Sequence, residues 1–105
     1  MLGEEAEHWK QIPDWPSYEV STLGRIRVIK TGKIRATEVT PAGYVCVKLS
    51  KAGKKTTKAV HRLVAEAFIP NPNSSPNVLH WDDVGTNNKV TNLRWGTPKD
   101  NGTLS

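Results

Sequence analysis

The alternation of apolar and polar residues predicts a β-hairpin early in the chain. In "RIRVIKTGKIRATEV", residues 25–39, two β-branched runs flank a Thr-Gly pair, a pattern typical of a two-residue hairpin turn. Because side chains alternate across a strand, Ile26 and Val28 are expected on one face and Arg25 and Arg27 on the other. This pattern predicts a strand with one apolar face and one basic face.

A second hairpin is predicted over residues 43–60, "GYVCVKLSKAGKKTTKAV". The alternation places Val45, Val47 and Leu49 on one side, and "KAGKK" is the expected turn. The N-terminal stretch ahead of both hairpins mixes aromatic residues with prolines, so it is expected to be an irregular wrap that leads into a short strand at residues 18–21.

A helix is predicted over residues 60–68, "VHRLVAEAF", where the apolar residues recur at helical spacing. Pro70 and Pro72 follow, and neither can continue a helix.

The C-terminal segment predicts a strand, a polar loop, a second strand and the start of a helix. "NVLHW" at residues 77–81 and "NLRW" at residues 92–95 read as the two strands around the loop. The closing "TPKDN" places Thr97 at an N-cap and Pro98 at the first helical position.

The length of 105 residues indicates one domain. The elements predict an α+β fold in which a basic hairpin module, about residues 7–59, is followed by a strand–loop–strand–helix unit, about residues 60–105.

The distribution of charge changes this picture. Between residues 24 and 62 eleven cations stand against the single Glu38, a net charge of +10 within a chain whose formal charge is +5. Such a block favours a polyanion partner, most simply nucleic acid, over the alternative of an ordinary solvated face. The cations are Arg25, Arg27, Lys30, Lys33, Arg35, Lys48, Lys51, Lys54, Lys55, Lys58 and Arg62.

The single Cys46 excludes an internal disulfide and a four-cysteine zinc site, so no structural zinc is expected. No segment approaches the roughly 18 apolar residues of a membrane helix, and the N-terminus is acidic without an apolar signal region. We therefore expect a soluble cytoplasmic protein with no membrane partner.

The C-terminal unit also carries candidate chemistry. A strand–loop–strand–helix arrangement can bring His80 on the first strand close to Asn101 on the helix. Phosphodiester hydrolysis needs a base for water, and histidine titrates near neutrality. Oxygen ligands from Asn or Asp suit a hard ion such as Mg²⁺. The spacing makes this chemistry possible without requiring it.

The same residues resemble a known family when they are read together. "VHRLVAEAFIPNP", "VLHWDD" and "TNNKVTNLRWGTPKDN" resemble the HNH endonucleases that are common in phages and mobile introns. "EHWKQIPDWPSYEVSTLGRIRV" is similar to the short DNA-binding module that often precedes the HNH unit. The resemblance covers roughly residues 7–101 and implies a ββα-metal fold for the C-terminal unit.

The resemblance also implies a role for several positions. His80 matches the general base, Asn92 the asparagine that braces the loop, and Asn101 the metal ligand. Asp82 is a further candidate ligand for Mg²⁺, or for Mn²⁺. Leu79 stands where many relatives carry an additional metal-binding Asp or Asn, and the chain stops four residues after Asn101. Both departures favour a weakened metal site.

We therefore predict a metal-dependent endonuclease that hydrolyses double-stranded DNA, encoded by a phage or mobile element and acting in a bacterial cytoplasm. The alternative is a catalytically impaired DNA-binding protein of the same fold, and a protein-binding regulator is a third possibility. The residues expected to bind DNA are Arg25, Arg27, Lys30, Lys33, Lys55, Arg62 and Arg94.

Two further sets of residues have alternative interpretations. His61 is expected to pack in the fold or to contact a phosphate. The tryptophans are expected to fill core and clamp positions rather than to stack on bases, with Trp81 the least certain because it adjoins His80.

Overall fold

The computed structural model of the chain describes residues 6–71 and 74–96. Within these ranges the fold contains three antiparallel sheets and one α-helix, which confirms the α+β class. The elements in chain order are β1 (Trp9–Ile12), β2 (Trp15–Ser21), β3 (Ile26–Val28), β4 (Thr37–Val39), β5 (Val45–Lys51), β6 (Lys54–Ala59), α1 (Val60–Phe68), β7 (Asn77–His80) and β8 (Leu93–Gly96), with a single 3₁₀ turn (Val90–Asn92) before β8.

The first sheet has the strand order β1-β2-β3, so the irregular N-terminal wrap expected from the sequence is wrong. Two features reconcile the prolines with a hairpin. Pro13 lies in the turn between β1 and β2, and Pro16 lies beside a register shift between Gln11 and Ile12, where the strands are not regularly paired. Proline is tolerated at such irregularities because it cannot donate to the ladder.

The first predicted hairpin forms only in part. Arg27 and Ile34 make an isolated bridge, and the Val28 N–H donates to the Lys33 carbonyl at 2.9 Å. The remainder of the expected return strand, β4, pairs instead with β5 in the second sheet. The local alternation therefore predicts the strands correctly, but the predicted partner of the return strand is wrong.

The second predicted hairpin is confirmed as β5 and β6. Ala52 and Gly53 both have positive φ, 53° and 82°, which is the backbone of a tight hairpin turn matched to the twist of the strands. Val47 and Leu49 are buried, as expected from the alternation. The Ser50 N–H donates to the Tyr18 hydroxyl at 3.0 Å and thereby links the second sheet to the first.

The predicted helix is also confirmed, and it contacts strands of all three sheets. Val60, Leu63 and Val64 are buried on its inner face. The helix ends at Phe68, two residues before Pro70, and the Trp95 indole N–H donates to the Ile69 carbonyl at 3.0 Å. This bond fastens β8 to the end of α1. Among the described residues no helix is long and apolar enough to cross a membrane.

Candidate active site

His80 is the last residue of β7, where the third sheet opens into the loop of residues 81–89. β7 and β8 are antiparallel, with His80 opposite Leu93 and Leu79 opposite Arg94. Immediately beyond the strand, the Trp81 N–H donates to the Asn92 carbonyl at 2.9 Å. The pairing therefore fixes the backbone on both sides of the imidazole.

Asn88 fixes the imidazole ring itself. Its side-chain oxygen lies 2.9 Å from His80 Nε2, and the asparagine is only 5% exposed. A carboxamide oxygen can only accept a hydrogen bond, so Nε2 carries the proton and the lone pair is left on Nδ1. The sequence reasoning missed this residue. The doublet Asn87-Asn88 was visible in the sequence, but the path of the loop decides which of the two faces the ring.

Asn92 connects both ends of the loop. Its Nδ2 donates to the Asn87 carbonyl and to the Asp82 carboxylate, at 2.9 Å in each case, and its oxygen accepts from the Asp82 N–H at 3.3 Å. Two of these three contacts are with loop backbone, which is the geometry that a bracing asparagine requires.

The Asp82 carboxylate belongs to this loop network rather than to the cavity beside His80. Its oxygens also accept from the Val84 N–H at 2.9 Å and from Asn87 Nδ2 at 2.8 Å. The hydrogen bond from Asn87 lowers the pKa of the Asp82 carboxyl, and the bonds from Val84 and Asn92 act in the same direction. Asp82 is thus held ionised as a structural acceptor.

A cavity of about 310 Å³ lies beside His80. Asp83, which has a positive φ of 61°, contributes to its lining, whereas Asp82 does not. Arg62 and Arg94 also line the cavity, so its electrostatic character suits an anion.

His61 adds a second imidazole to the cavity wall. Its ring centroid lies 5.2 Å from that of His80, and Tyr44 packs against both rings at 5.4 and 5.9 Å. Burial, together with the neighbouring His80 and Arg62 charges, lowers the pKa of His61 to about 4. His61 is therefore neutral near pH 7. The sequence reasoning left packing and phosphate contact open for this residue, and its distance from His80 in the chain gave no signal that the rings meet.

The two arginines of the cavity are both held against tryptophans. The Arg94 guanidinium lies 4.3 Å from the centroid of the Trp81 ring, which is 63% exposed. Arg62 donates to the Pro76 carbonyl at 2.8 Å and lies 5.7 Å from the Trp95 ring. Trp81 therefore lies at the surface, next to the cavity, instead of filling the core.

The predicted DNA-binding cations of the first sheet are already paired within the protein. Arg25 donates from Nε to Glu7 at 2.8 Å, and Arg27 pairs with Glu19. The Arg27 guanidinium also lies 3.9 Å from the centroid of the Trp9 ring. The hydrogen bond from Arg25 lowers the pKa of Glu7 to about 2, so this pair remains charged at neutral pH.

The lysines among the predicted DNA-binding residues have a different environment. Lys30, Lys33 and Lys55 are exposed. No hydrogen bond or ion pair engages their ammonium groups within residues 6–71 and 74–96. With respect to the described residues, these charges are therefore available to an external anion.

Asn101, with the predicted helix start at Thr97 and Pro98, lies outside the described residues. In the part of the chain that the structure describes, no group of three His, Cys, Asp or Glu side chains is arranged to hold a metal ion. Among the described residues, Asp83 is the acidic side chain that lines the cavity beside His80.

Two family models match the chain, and together they span most of it. The NUMOD4 motif matches residues 7–50, and the HNH endonuclease model matches residues 58–103. The chain belongs to the HNH endonuclease family, which confirms the resemblance seen in the sequence.

Individual relatives agree with this assignment. The chain is 43% identical over 93 residues to the uncharacterized HNH endonuclease L245 of Acanthamoeba polyphaga mimivirus, and 40% identical over 94 residues to the DNA endonuclease I-HmuI of Bacillus phage SP01. Each alignment covers 89% of this chain but only 28% of L245 and 54% of I-HmuI.

A solved structure that describes DNA binding and cleavage by the HNH homing endonuclease I-HmuI has the same fold. Its TM-score to this chain is 0.83 at 40% sequence identity, over 90% of this chain and 55% of that one. The chain thus spans about half the length of the relative whose structure it matches.

Proposed function

We propose that this chain is a metal-dependent endonuclease that hydrolyses phosphodiester bonds of double-stranded DNA, with His80 as the general base. The observation that carries the proposal is the hydrogen bond between Asn88 and His80 Nε2. It orients the ring and leaves Nδ1 able to take a proton from water. An imidazole suits this step because its ordinary pKa lies near neutral pH.

The cavity beside His80 supports the same reaction. Its volume of about 310 Å³ has room for a phosphate group and the attacking water. Arg62 and Arg94 supply positive charge to its lining. Cations placed where negative charge develops stabilise a phosphoryl transition state.

The donor set suits a hard divalent ion such as Mg²⁺ or Mn²⁺, which takes one or two protein oxygens and completes its shell with water and phosphate. Asp83 at the cavity and the carboxamide of Asn101 would hold it. Asp82 is the weaker candidate because its carboxylate accepts three hydrogen bonds from the loop. When bound, the ion would stabilise negative charge on the leaving oxygen.

The DNA-binding surface is proposed to consist first of the free lysines Lys30, Lys33 and Lys55, with Arg62 and Arg94 near the scissile phosphate. Arg25 and Arg27 contribute less because Glu7 and Glu19 neutralise them. Relatives from Bacillus phage SP01 and Escherichia phage T5 support a phage or mobile-element origin, with action in the cytoplasm of a bacterial host.

The proposal is tested by incubating supercoiled plasmid with the protein in Mg²⁺, Mn²⁺ or EDTA. Replacement of His80 by Ala should lower the rate of metal-dependent cleavage by about 10²- to 10⁴-fold, the usual contribution of a general base. His8→Ala is the matched control, since His8 is an exposed histidine of the N-terminal sheet region. Equal cleavage by wild type and His80→Ala would refute the assignment of the base.

A second candidate function is DNA binding without cleavage. Leu79 occupies a position where many relatives carry a metal ligand, and Asp82 does not take its place at the cavity. This candidate predicts a salt-dependent gel shift, with a slope of about −0.9 per phosphate contact, and no cleavage in any metal.

A further inference from the structure

The loop of residues 81–89 and the residue that follows it rest on turns of the N-terminal half. The Val90 N–H donates to the Thr22 carbonyl at 2.8 Å. Gly85 packs so closely on Gly43 that a Cβ built on Gly85 would lie 2.3 Å from the Gly43 carbonyl oxygen. The segment that orients His80 is therefore in contact with a turn of each N-terminal sheet.

The closest support for Asn88 comes from Gly24, in the turn between β2 and β3. Gly24 has a φ of +86°, and a Cβ built on it would lie 3.0 Å from the Asn88 Cβ and 3.2 Å from the Asn88 carbonyl oxygen. Both distances are shorter than ordinary van der Waals contact between such atoms. Only glycine combines this backbone conformation with this close approach.

The turn itself is a rigid support. The buried Ser21 hydroxyl accepts from the Leu23 and Arg25 N–H groups at 3.1 Å each, and the Gly24 N–H donates to the Ser21 carbonyl at 3.0 Å. A displacement of Asn88 toward the turn is therefore blocked by backbone that cannot yield easily.

We propose that the turn of residues 21–25 positions the His80 imidazole through Asn88, so that Gly24 is a positioning residue for catalysis. This inference rests on the proposed function, because it assigns a purpose to the orientation of the base. It makes the HNH unit dependent on the preceding NUMOD4 motif for the geometry of its active site, in addition to any help in binding DNA.

The test compares Gly24→Ala with Gly53→Ala. Both glycines have similar positive φ values, +86° and +82°, but a Cβ on Gly53 would meet no heavy atom within 4 Å. The two variants therefore carry the same type of backbone strain, and only Gly24→Ala presses on Asn88. Gly24→Ala should lower kcat about 10- to 100-fold through misplacement of the base while the DNA Kd stays within a factor of about two, and Gly53→Ala should retain wild-type kcat.

A double-mutant cycle separates positioning from a general loss of structure. If Gly24 acts through Asn88, then Gly24→Ala combined with Asn88→Ala should lose no more kcat than Asn88→Ala alone. Losses in kcat that multiply in the double variant, or a kcat of Gly24→Ala equal to that of Gly53→Ala, would overturn the proposal.

The inference can be tested even if the wild-type chain fails to cut DNA, which would refute the proposed function alone. ¹⁵N–¹H NMR of the histidine rings then replaces kcat. Wild type and Gly53→Ala should show a proton on His80 Nε2, and Gly24→Ala should lose that signal while its backbone spectrum stays folded. An unchanged Nε2 proton in Gly24→Ala would overturn the inference.

Discussion

The loop of residues 81–89 and the lysine-bearing surface of the N-terminal half are both polar, yet they use their polar groups in opposite ways. In the loop, Asp82, Asn87 and Asn88 hydrogen-bond to one another, to backbone, to His80 or to Asn92 just beyond the loop. By contrast, Lys33 after β3 and Lys55 on β6 extend into solvent without a partner among the described residues. The difference teaches that a reacting group must be held in one geometry, whereas a phosphate backbone can be bound by charges that adapt to it.

A smaller version of the same contrast exists between β3 and the segment that follows it. Arg27 is paired with Glu19 and stacked on Trp9, while Lys33, six residues later, is exposed. Two cations that the sequence places in one basic block therefore have different roles. One stabilises the sheet, and the other remains available to an external anion.

The largest expected effect is a loss of stability on replacement of Asn92, the residue at the centre of the hydrogen bonds that hold the loop. Asn92→Ala deletes three hydrogen bonds at a nearly buried position and leaves the Asn87 carbonyl and the Asp82 N–H without that partner. We expect the free energy of unfolding to fall by about 2–3 kcal/mol, measured by urea denaturation.

Asn87→Ala is the control for that experiment. It removes one exposed side-chain bond to Asp82 and should cost about 1 kcal/mol or less. If both variants unfold at the same urea concentration as wild type, the loop is not held by this network and the contrast with the free lysines fails.

A smaller effect, on the salt dependence of DNA binding, distinguishes a lysine without a partner among the described residues from an arginine that is paired with a glutamate. Lys33→Gln should reduce the salt dependence of DNA binding by about 0.9 in the log–log slope, the contribution of one phosphate contact. Arg27→Gln should leave the slope nearly unchanged, because its charge is already matched by Glu19. Titrations at several salt concentrations measure both slopes, and equal reductions would show that the internal ion pair opens when DNA binds.

The sequence predicts those parts of the fold that depend on neighbouring residues. The β5–β6 hairpin and α1 were predicted because the alternation around Val47 and the helical spacing from Val60 are local patterns. The partner of β4 was assigned incorrectly because both neighbouring strands, β3 and β5, are close enough in the chain to pair with it, and the local alternation does not choose between them. The β1–β2 hairpin was missed because Pro13 and Pro16 suggest irregular backbone, although a turn and a register shift accommodate both.

The candidate site shows the same limit. His80 and Asn92 could be assigned from their resemblance to the family, and those assignments stay predictions until activity is measured. Asn88 and His61 could not be placed, because one depends on the path of a loop and the other on the packing of α1 against β7. The resemblance therefore predicts which histidine is the base, and only the fold reveals which residue orients it.

The most direct test of the central claim, that His80 is the general base, is chemical rescue of His80→Ala by added imidazole in the plasmid assay. Removal of the side chain enlarges a cavity of about 310 Å³, which gives free imidazole access to the position of the missing ring. We expect cleavage to rise with imidazole concentration, to require a divalent metal, and to follow the fraction of neutral imidazole as the pH is varied. Metal-dependent cleavage by His80→Ala at the wild-type rate without imidazole would contradict the account.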